Sequence, residues 1–296
     1  ETVSDPFPGV TRIIAPNPSP MTGQGTNSYV LGHDRLIVID PGPLVASHLE
    51  SLLAVIRGRP VDLILATHSH LDHTELAPAL GRATGAQVAG FGDRLAGQSE
   101  VMRALSARGL VGGGEGVDHT FAPDQTFGDG DVVPFEDGPL RVLHTPGHFG
   151  NHVCFAWADV VFSGDHVLGF STTLISPPDG DLTDYMRSLD RIEGAGARVL
   201  LPGHGPEITQ AGARINELRA HRLMRERQII AALQAGPSDI RTLTKGLYAD
   251  VQPALHAMAS RNVFAHLIDL HGRRIVVAAP ALAPDATFGL AEAVVV

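Results

Sequence analysis

The densest chemistry in the chain is the segment Thr67-His68-Ser69-His70-Leu71-Asp72-His73, which holds four candidate metal ligands within six residues. A hydrophobic core does not carry such a concentration, because each polar group buried without a partner costs free energy. On a loop after an apolar run, His68 and His70 alternate and can point to one side. Asp72 and His73, at the entry to the next helix, turn toward a neighbouring position. This spacing serves two adjacent metal positions better than one. Three later segments repeat the theme: His144-Thr145-Pro146-Gly147-His148, Ser163-Gly164-Asp165-His166 and Pro202-Gly203-His204-Gly205. In each, a strand-like run leads in and glycine permits close backbone approach. A lone histidine after a strand is ordinarily a hydrogen-bonded structural residue, but four such segments in one chain point to a metal site. The only cysteine, Cys154, rules out an internal disulfide and any thiolate cluster. The donors are therefore nitrogen and oxygen, a set that suits Zn²⁺ first and Fe or Mn as alternatives.

The elements that must present these residues are short β-branched runs alternating with segments of helical pattern. Strands are expected over 36–39, 61–66, 86–89, 140–143, 152–156, 160–162 and 198–201, and helices over 45–57, 74–84 and 183–193. This is the pattern of an α/β sandwich. Past residue 209 it changes to helices over 210–235, 240–247 (capped by Ser238 and Asp239) and 253–270, then a short hairpin beginning at Arg273. Three helices and a ribbon is the winged-helix order, so the chain divides into a catalytic domain, 1–209, and a C-terminal domain, 210–296. Charge follows the division: residues 1–213 hold 12 Arg against 25 acids, whereas the remainder holds 10 basic residues against 7 acids.

With 296 residues, 44% apolar and 18% charged, the chain can bury a sizeable core and is not disordered. No run reaches the roughly 20 apolar residues of a membrane span, and no signal-peptide pattern is visible, so a cytoplasmic enzyme without a membrane partner is expected. Lys245, the single lysine, follows no phosphate loop, which disfavours Schiff-base and Walker-type chemistry. The glycine-rich stretch 110–118 reads as a surface loop, with a lid over the site as the alternative.

The ordered pattern His-x-His-x-Asp-His, then His, Asp and His, resembles the metallo-β-lactamase superfamily of dinuclear metallohydrolases over residues 10–210, with every ligand position filled. The resemblance implies an αββα sandwich and two divalent metal ions. His68, His70 and His148 would hold the first metal, Asp72, His73 and His204 the second, and Asp165 would bridge them. Asp40, in Val38-Ile39-Asp40-Pro41-Gly42, would support the site loop without binding metal. A hydroxide shared by the metals would be the nucleophile, and Asp72 would pass a proton to the leaving group. Asn27-Ser28-Tyr29, Asp40-Pro41-Gly42 and a tail with His221-Arg222, Arg225-Glu226 and Gln228-Ile229 further resemble the β-lactamase-like protein 2 branch. That branch includes an endoribonuclease acting on single-stranded RNA, and related proteins include thioesterases acting on acyl carriers.

Two substrate classes follow, a small-molecule ester or thioester and single-stranded RNA. For RNA speak Arg214, Arg219, Arg222, Arg225 and Arg227 as phosphate contacts. Against it stand the acidic catalytic part and the lack of an aromatic stacking platform. A different function would be nucleic-acid-binding regulation, with Arg261, Asn262 and His266 on the recognition helix; a third, sharing the same ligands, is a mononuclear iron persulfide dioxygenase. Winged helices also serve as dimerisation or lid modules, so a homodimer is a further expected assembly. Asn27 and Tyr29, on a loop between the first strands, are substrate candidates, and His152 and His166 are candidates to orient ligands from behind. His33, His48, His119, His256 and His271 read as surface or capping residues, and Cys154 as core.

Overall fold

A computed structural model of the chain describes residues 2–112, 116–249, 252 and 255–292; part of the glycine-rich stretch and the start of the expected 253–270 helix lie outside the described residues. The first sheet contains β1 (Val3–Phe7), β2 (Val10–Ile14), β3 (Asn27–Leu31), β4 (Leu36–Ile39), β5 (Val61–Leu65), β6 (Gln87–Gly90) and β7 (Gln125–Thr126), neighbours in chain order. Pairing is antiparallel up to β4 and parallel from β4 onward. Parallel pairs need crossovers, which helices α1 (Ala46–Ile56), α2 (Leu71–Thr74), α3 (Ala77–Thr84) and α4 (Glu100–Ala107) supply. The second sheet runs β12-β11-β10-β9-β8, from β8 (Val132–Val133), β9 (Leu140–His144), β10 (Val153–Trp157), β11 (Val160–Gly164) and β12 (Val199–Pro202), with α5 (Leu182–Gly194) crossing between the parallel β11 and β12.

The sequence of β4, Leu-Ile-Val-Ile, shows why the layers stack. Ile37 and Ile39 pack between the sheets with Val153, Phe155 and Phe162, whereas Leu36 and Val38 face Leu52, Ile56 and Leu80 of the helices outside. A strand covered on both faces needs an unbroken apolar run rather than alternation. In β10, Val153 and Phe155 point inward while Cys154 points out against Tyr185, Leu189 and Ile215 of the opposite helical layer. Cys154 is thus core, as expected. Helix α5 exists because Leu182, Tyr185, Leu189 and Ile192 recur on one buried face and Asp181 caps its first turn through Thr183 N and Asp184 N. Such a cap contributes about 1 kcal/mol, and each buried aliphatic side chain about 1.5–3 kcal/mol. The αββα sandwich is the observed fold.

Beyond it come α6 (Ala211–Gln234), β13 (Ser238–Asp239), α7 (Ile240–Leu247), α8 (His256–Gly272), β14 (Val276–Ala279) and β15 (Thr287–Leu290), the strands forming a three-stranded sheet β13-β15-β14. Asp239 caps α7 through Thr242 N at 2.7 Å. The core of this winged-helix unit includes Ile229, Val263 and Leu267, but also Met102 and Leu105 from α4. A helix from within the first 209 residues therefore completes the C-terminal core.

Three expectations change. The 74–84 helix is two pieces, α2 and α3. Asn27 and Tyr29 lie on no loop: they are buried in β3, paired with β2 and β4. Strands β1 and β2 carry Asp5, Pro6 and Arg12, so propensity is silent there and cross-strand pairing decides. Finally, His48 is fully buried, 2.8 Å from Ser28 Oγ, and is not a surface residue.

Candidate metal centre

The loops that follow β5, β9, β11 and β12 meet at one end of the sandwich. Two backbone hydrogen bonds close that end, Val153 N to Thr67 O at 2.8 Å and Asn27 N to Gly203 O at 2.7 Å. After β5 the chain bends at Thr67 and His68, is extended at His70 and then enters α2, so His68 and His70 precede the helix that carries Asp72 and His73. The result is two groups of converging donor atoms, His68, His70, His148 and Asp165 in one and Asp72, His73 and His204 in the other, each within 4.8 Å of one another. Asp165 reaches across: its Oδ2 lies 3.8 Å from His148 Nε2 and 3.2 Å from His204 Nε2, and its Oδ1 lies 3.6 Å from His73 Nε2. Gly203 must be glycine here, since a Cβ would stand 2.4 Å from Asp165 Oδ1.

The fit to a cation follows from the far side of each ring. His73 Nδ1 lies 2.9 Å from Asp40 Oδ2, His148 Nδ1 2.9 Å from Leu174 O, and His204 Nδ1 3.3 Å from Gly25 O. Carbonyl and carboxylate oxygens only accept, so in each neutral ring Nδ1 carries the proton and Nε2 presents a lone pair inward. Thr67 donates its hydroxyl to Asp40 Oδ2 at 2.8 Å, which leaves its oxygen to accept from His68 Nδ1 at 3.0 Å. His68 Nε2 therefore also points a lone pair inward, 2.9 Å from His70 Nδ1, which is itself 3.3 Å from His148 Nε2. A single N–H on His70 can point at only one of its neighbours, whereas a cation satisfies all three rings. His73 Nε2 and Asp165 Oδ1 are buried without a hydrogen-bond partner. Neutral imidazoles with carboxylates are the donor set of a divalent metal.

Electrostatics separate the two groups. Burial holds His68 and His148 neutral, and it lowers His70 to about 3. At His73 and His204 burial also opposes charge, but the carboxylates prevail, Asp72, Asp165 and Asp40 around His73 and chiefly Asp165 at His204, so both are raised. The carboxylates make this end attract positive charge, proton and metal alike. Asp72 is the one member of the seven that is not buried; it accepts from Thr26 Oγ1 at 2.9 Å.

Residues expected nearby take other parts. Asp40 accepts from Thr67 N, Thr67 Oγ1 and His73, holding the loop and one ring at once. Asn27 Nδ2 donates to Pro202 O and Gly205 O, and Tyr29 donates to Pro202 O at 2.7 Å, so both brace the turn that carries His204. His152 (Nδ1 to Thr145 Oγ1, 2.9 Å) and His166 (Nε2 to Tyr185 O, 3.2 Å) pack behind the cluster without a hydrogen bond to its side chains among the described residues. Thr26 and Thr67 were not anticipated. Thr67 had a signal, standing directly before His68, but its partner Asp40 is remote in sequence.

Of the five expected phosphate contacts, four are spent on the protein itself, and Arg227 is exposed. Arg214 donates to Leu168 O and Ser171 O, Arg219 to Asp190 and Glu193, and Arg225 to Leu247 O while lying over the Tyr248 ring. Arg222 is buried and donates to Thr173 O and Asn262 Oδ1. On α8, Arg261 donates to Ser176 Oγ and Pro177 O, and His266 is buried, so the helix expected to recognise nucleic acid is docked on the catalytic domain.

A cavity of about 600 Å³ opens over the cluster, in contact with His70, Asp72, His148, Asp165 and His204. Its walls include Leu168, Leu174, Leu255 and Met258. Among the described residues no lysine or arginine lines it.

Fold and site define a metallo-β-lactamase-fold hydrolase. The chain belongs to the metallo-beta-lactamase superfamily, whose pattern residues 21–204 match, and residues 240–281 match the beta-lactamase associated winged helix domain. It is 32% identical over 272 residues to a beta-lactamase-like protein 2 homolog of Caenorhabditis elegans, covering 89% of this chain and 83% of that protein. It is 33% identical over 242 residues to an atrochrysone carboxyl ACP thioesterase of Aspergillus fumigatus, covering 80% and 68%. In structure it is similar to a metallo-beta-lactamase family protein from Thermus thermophilus, with a TM-score of 0.76, 25% identity and coverage of 96% and 99%. No helix of the described residues is long and apolar enough to cross a membrane.

Proposed function

We propose that the chain is a dinuclear, zinc-dependent hydrolase of acyl thioesters. The observation that carries this reading is the cavity above the cluster, apolar along much of its wall and without a cationic side chain among the described residues. A polyanionic RNA backbone binds through lysine and arginine, and Arg214, Arg219, Arg222 and Arg225 of α6 are engaged elsewhere. An uncharged acyl group loses nothing in such a pocket. Similarity to an acyl-carrier thioesterase supports the same class.

His68, His70 and His148 would hold one ion and Asp72, His73 and His204 the other, with Asp165 serving both. When bound, the ions supply Lewis acidity toward the thioester oxygen and bring the pKa of a water to about 7. The chain's own residues do the rest. Asp40, Thr67, Leu174 O and Gly25 O keep four ring protons outward, so that the donors are set before substrate arrives. Leu168 and Leu174 exclude water from the acyl side. Asp72, the one partly exposed carboxylate of the cluster, would carry a proton toward the leaving sulfur.

The test is metal analysis followed by parallel assays on acyl thioesters and labelled single-stranded RNA at low salt. About two equivalents of zinc with thioester turnover is the expected result. RNA cleavage without thioester turnover overturns the substrate class, and one equivalent of iron with oxygen consumption on glutathione persulfide overturns the dinuclear reading. Full activity of Asp72→Asn with both metals retained removes Asp72 from proton transfer.

A further inference from the structure

We propose that helix α8 of the winged-helix unit is the specificity wall of the active site, and that Leu255 and Met258 determine which acyl group it accepts; this rests on the thioester reading above. Leu255 caps α8, with Met258 and Asn262 following on the same face at the spacing of successive helical turns. All three line the cavity that also touches His70, Asp72 and His148. No residue of the 21–204 match supplies this wall, so the appended unit completes a pocket that the catalytic domain leaves open on one side.

The wall is fixed in place. Asn262 Oδ1 accepts from Ile175 N at 3.3 Å and from Arg222 Nη1 at 3.2 Å, while Arg222 also donates to Thr173 O. Thr173 Oγ1 in turn donates to Asp165 O at 2.8 Å, which ties the helix to the loop behind the shared carboxylate. Farther along α8, Arg261 donates to Ser176 Oγ and Pro177 O, and Asp269 Oδ1 accepts from Thr183 Oγ1 at 2.6 Å. With α8 held along this length, the side chains of Leu255 and Met258 set the width of the pocket facing Leu168 and Leu174. Both are apolar and uncharged, so the group that fits is an apolar acyl chain rather than a sugar or phosphate. Methionine, unbranched and polarizable, follows the contour of a chain without imposing a ring shape.

The experiment compares the full-length metal-loaded protein with Met258→Ala and Met258→Trp on a series of straight-chain acyl thioesters of N-acetylcysteamine, each variant first checked for metal content and melting temperature. One methylene of fit is worth roughly tenfold or more in kcat/KM. The expected result is that Met258→Ala moves the preferred chain longer, Met258→Trp moves it shorter, and each changes the ratio of long to short by about tenfold, with metal content unchanged. An unaltered chain-length profile in both folded variants overturns the wall while leaving the hydrolase reading intact. If the wild type turns over no thioester, that reading fails instead, and binding of the corresponding non-hydrolysable alkyl thioethers to wild type and Met258→Trp decides the wall alone. Binding weakened in Met258→Trp upholds the wall, and equal binding or none overturns it.

Discussion

The ligand loops and helix α6 concentrate polar side chains to a similar degree, and the structure uses them in opposite ways. In the loops, His68, His73, His148 and His204 donate outward through Nδ1 and turn Nε2 toward the cluster, where His73 Nε2 and Asp165 Oδ1 are buried without a hydrogen-bond partner. On α6, Arg214, Arg219, Arg222 and Arg225 direct their donors at carbonyls, carboxylates and a ring of the same chain. A cluster of charged or polar residues is thus a functional surface only where its hydrogen-bonding capacity is unspent. By that criterion the histidines form a site, and Arg214, Arg219 and Arg222 form a brace between domains.

The sharpest way to break the contrast is His70→Ala. It removes the ring that two others face, so metal content should fall by about one equivalent and activity by more than the roughly 10–100-fold that losing an outer partner costs. Retained stoichiometry by metal analysis would mean that the first group does not bind as a unit. Asp40→Asn comes next, because it disturbs both Thr67 and His73 without touching the donors. Metal affinity measured by chelator competition should fall by roughly 10–100-fold with the fold retained.

The arginine side of the comparison predicts stability effects in place of catalytic ones. Arg222→Leu leaves Thr173 O without this donor at a buried position and Asn262 Oδ1 with Ile175 N as its remaining partner, and should cost about 2–3 kcal/mol in denaturant unfolding. Arg219→Ala, whose acidic partners lie at the surface, should cost less than about 1 kcal/mol. Equal costs would show that burial is not what distinguishes them.

An effect confined to acid pH is expected at His266, which burial lowers to about 3 and whose ring nitrogens have no hydrogen-bond partner. The unfolded chain takes up a proton there near 6.5 while the folded chain does not, so the unfolded state binds more protons between about 6.5 and 3. Stability therefore falls as pH drops through that window, by at most about 1.4 kcal/mol per pH unit from this group. His266→Leu should flatten the difference in unfolding free energy between about pH 6.5 and about pH 5.

Much of this was legible before any coordinates. The interior strands β4, β10 and β11 are covered on both faces and so read as largely apolar runs. All seven converging residues are visible because each follows β5, β9, β11 or β12 at a glycine or a helix entry. Strands β1 to β3 were not marked by propensity, and Asn27 and Tyr29 were mistaken for loop residues because their polar atoms looked exposed. They are buried with their donors aimed at backbone carbonyls of the turn before His204, and a carbonyl leaves no mark on a sequence.

The sequence by itself determined the donor inventory, nitrogen and oxygen with one cysteine held in the core, and the order of elements that deliver it. Tertiary structure decided which nitrogen of each ring faces inward, that four arginines of α6 are bonded within the chain, and that α8 lines the cavity over the cluster. The reason is common to all three. Composition and periodicity are properties of neighbours along the chain, whereas proton placement, desolvation and pocket shape depend on partners such as Asp40 for His73, Leu174 for His148 and Asn262 for Ile175, which only folding brings within hydrogen-bonding distance.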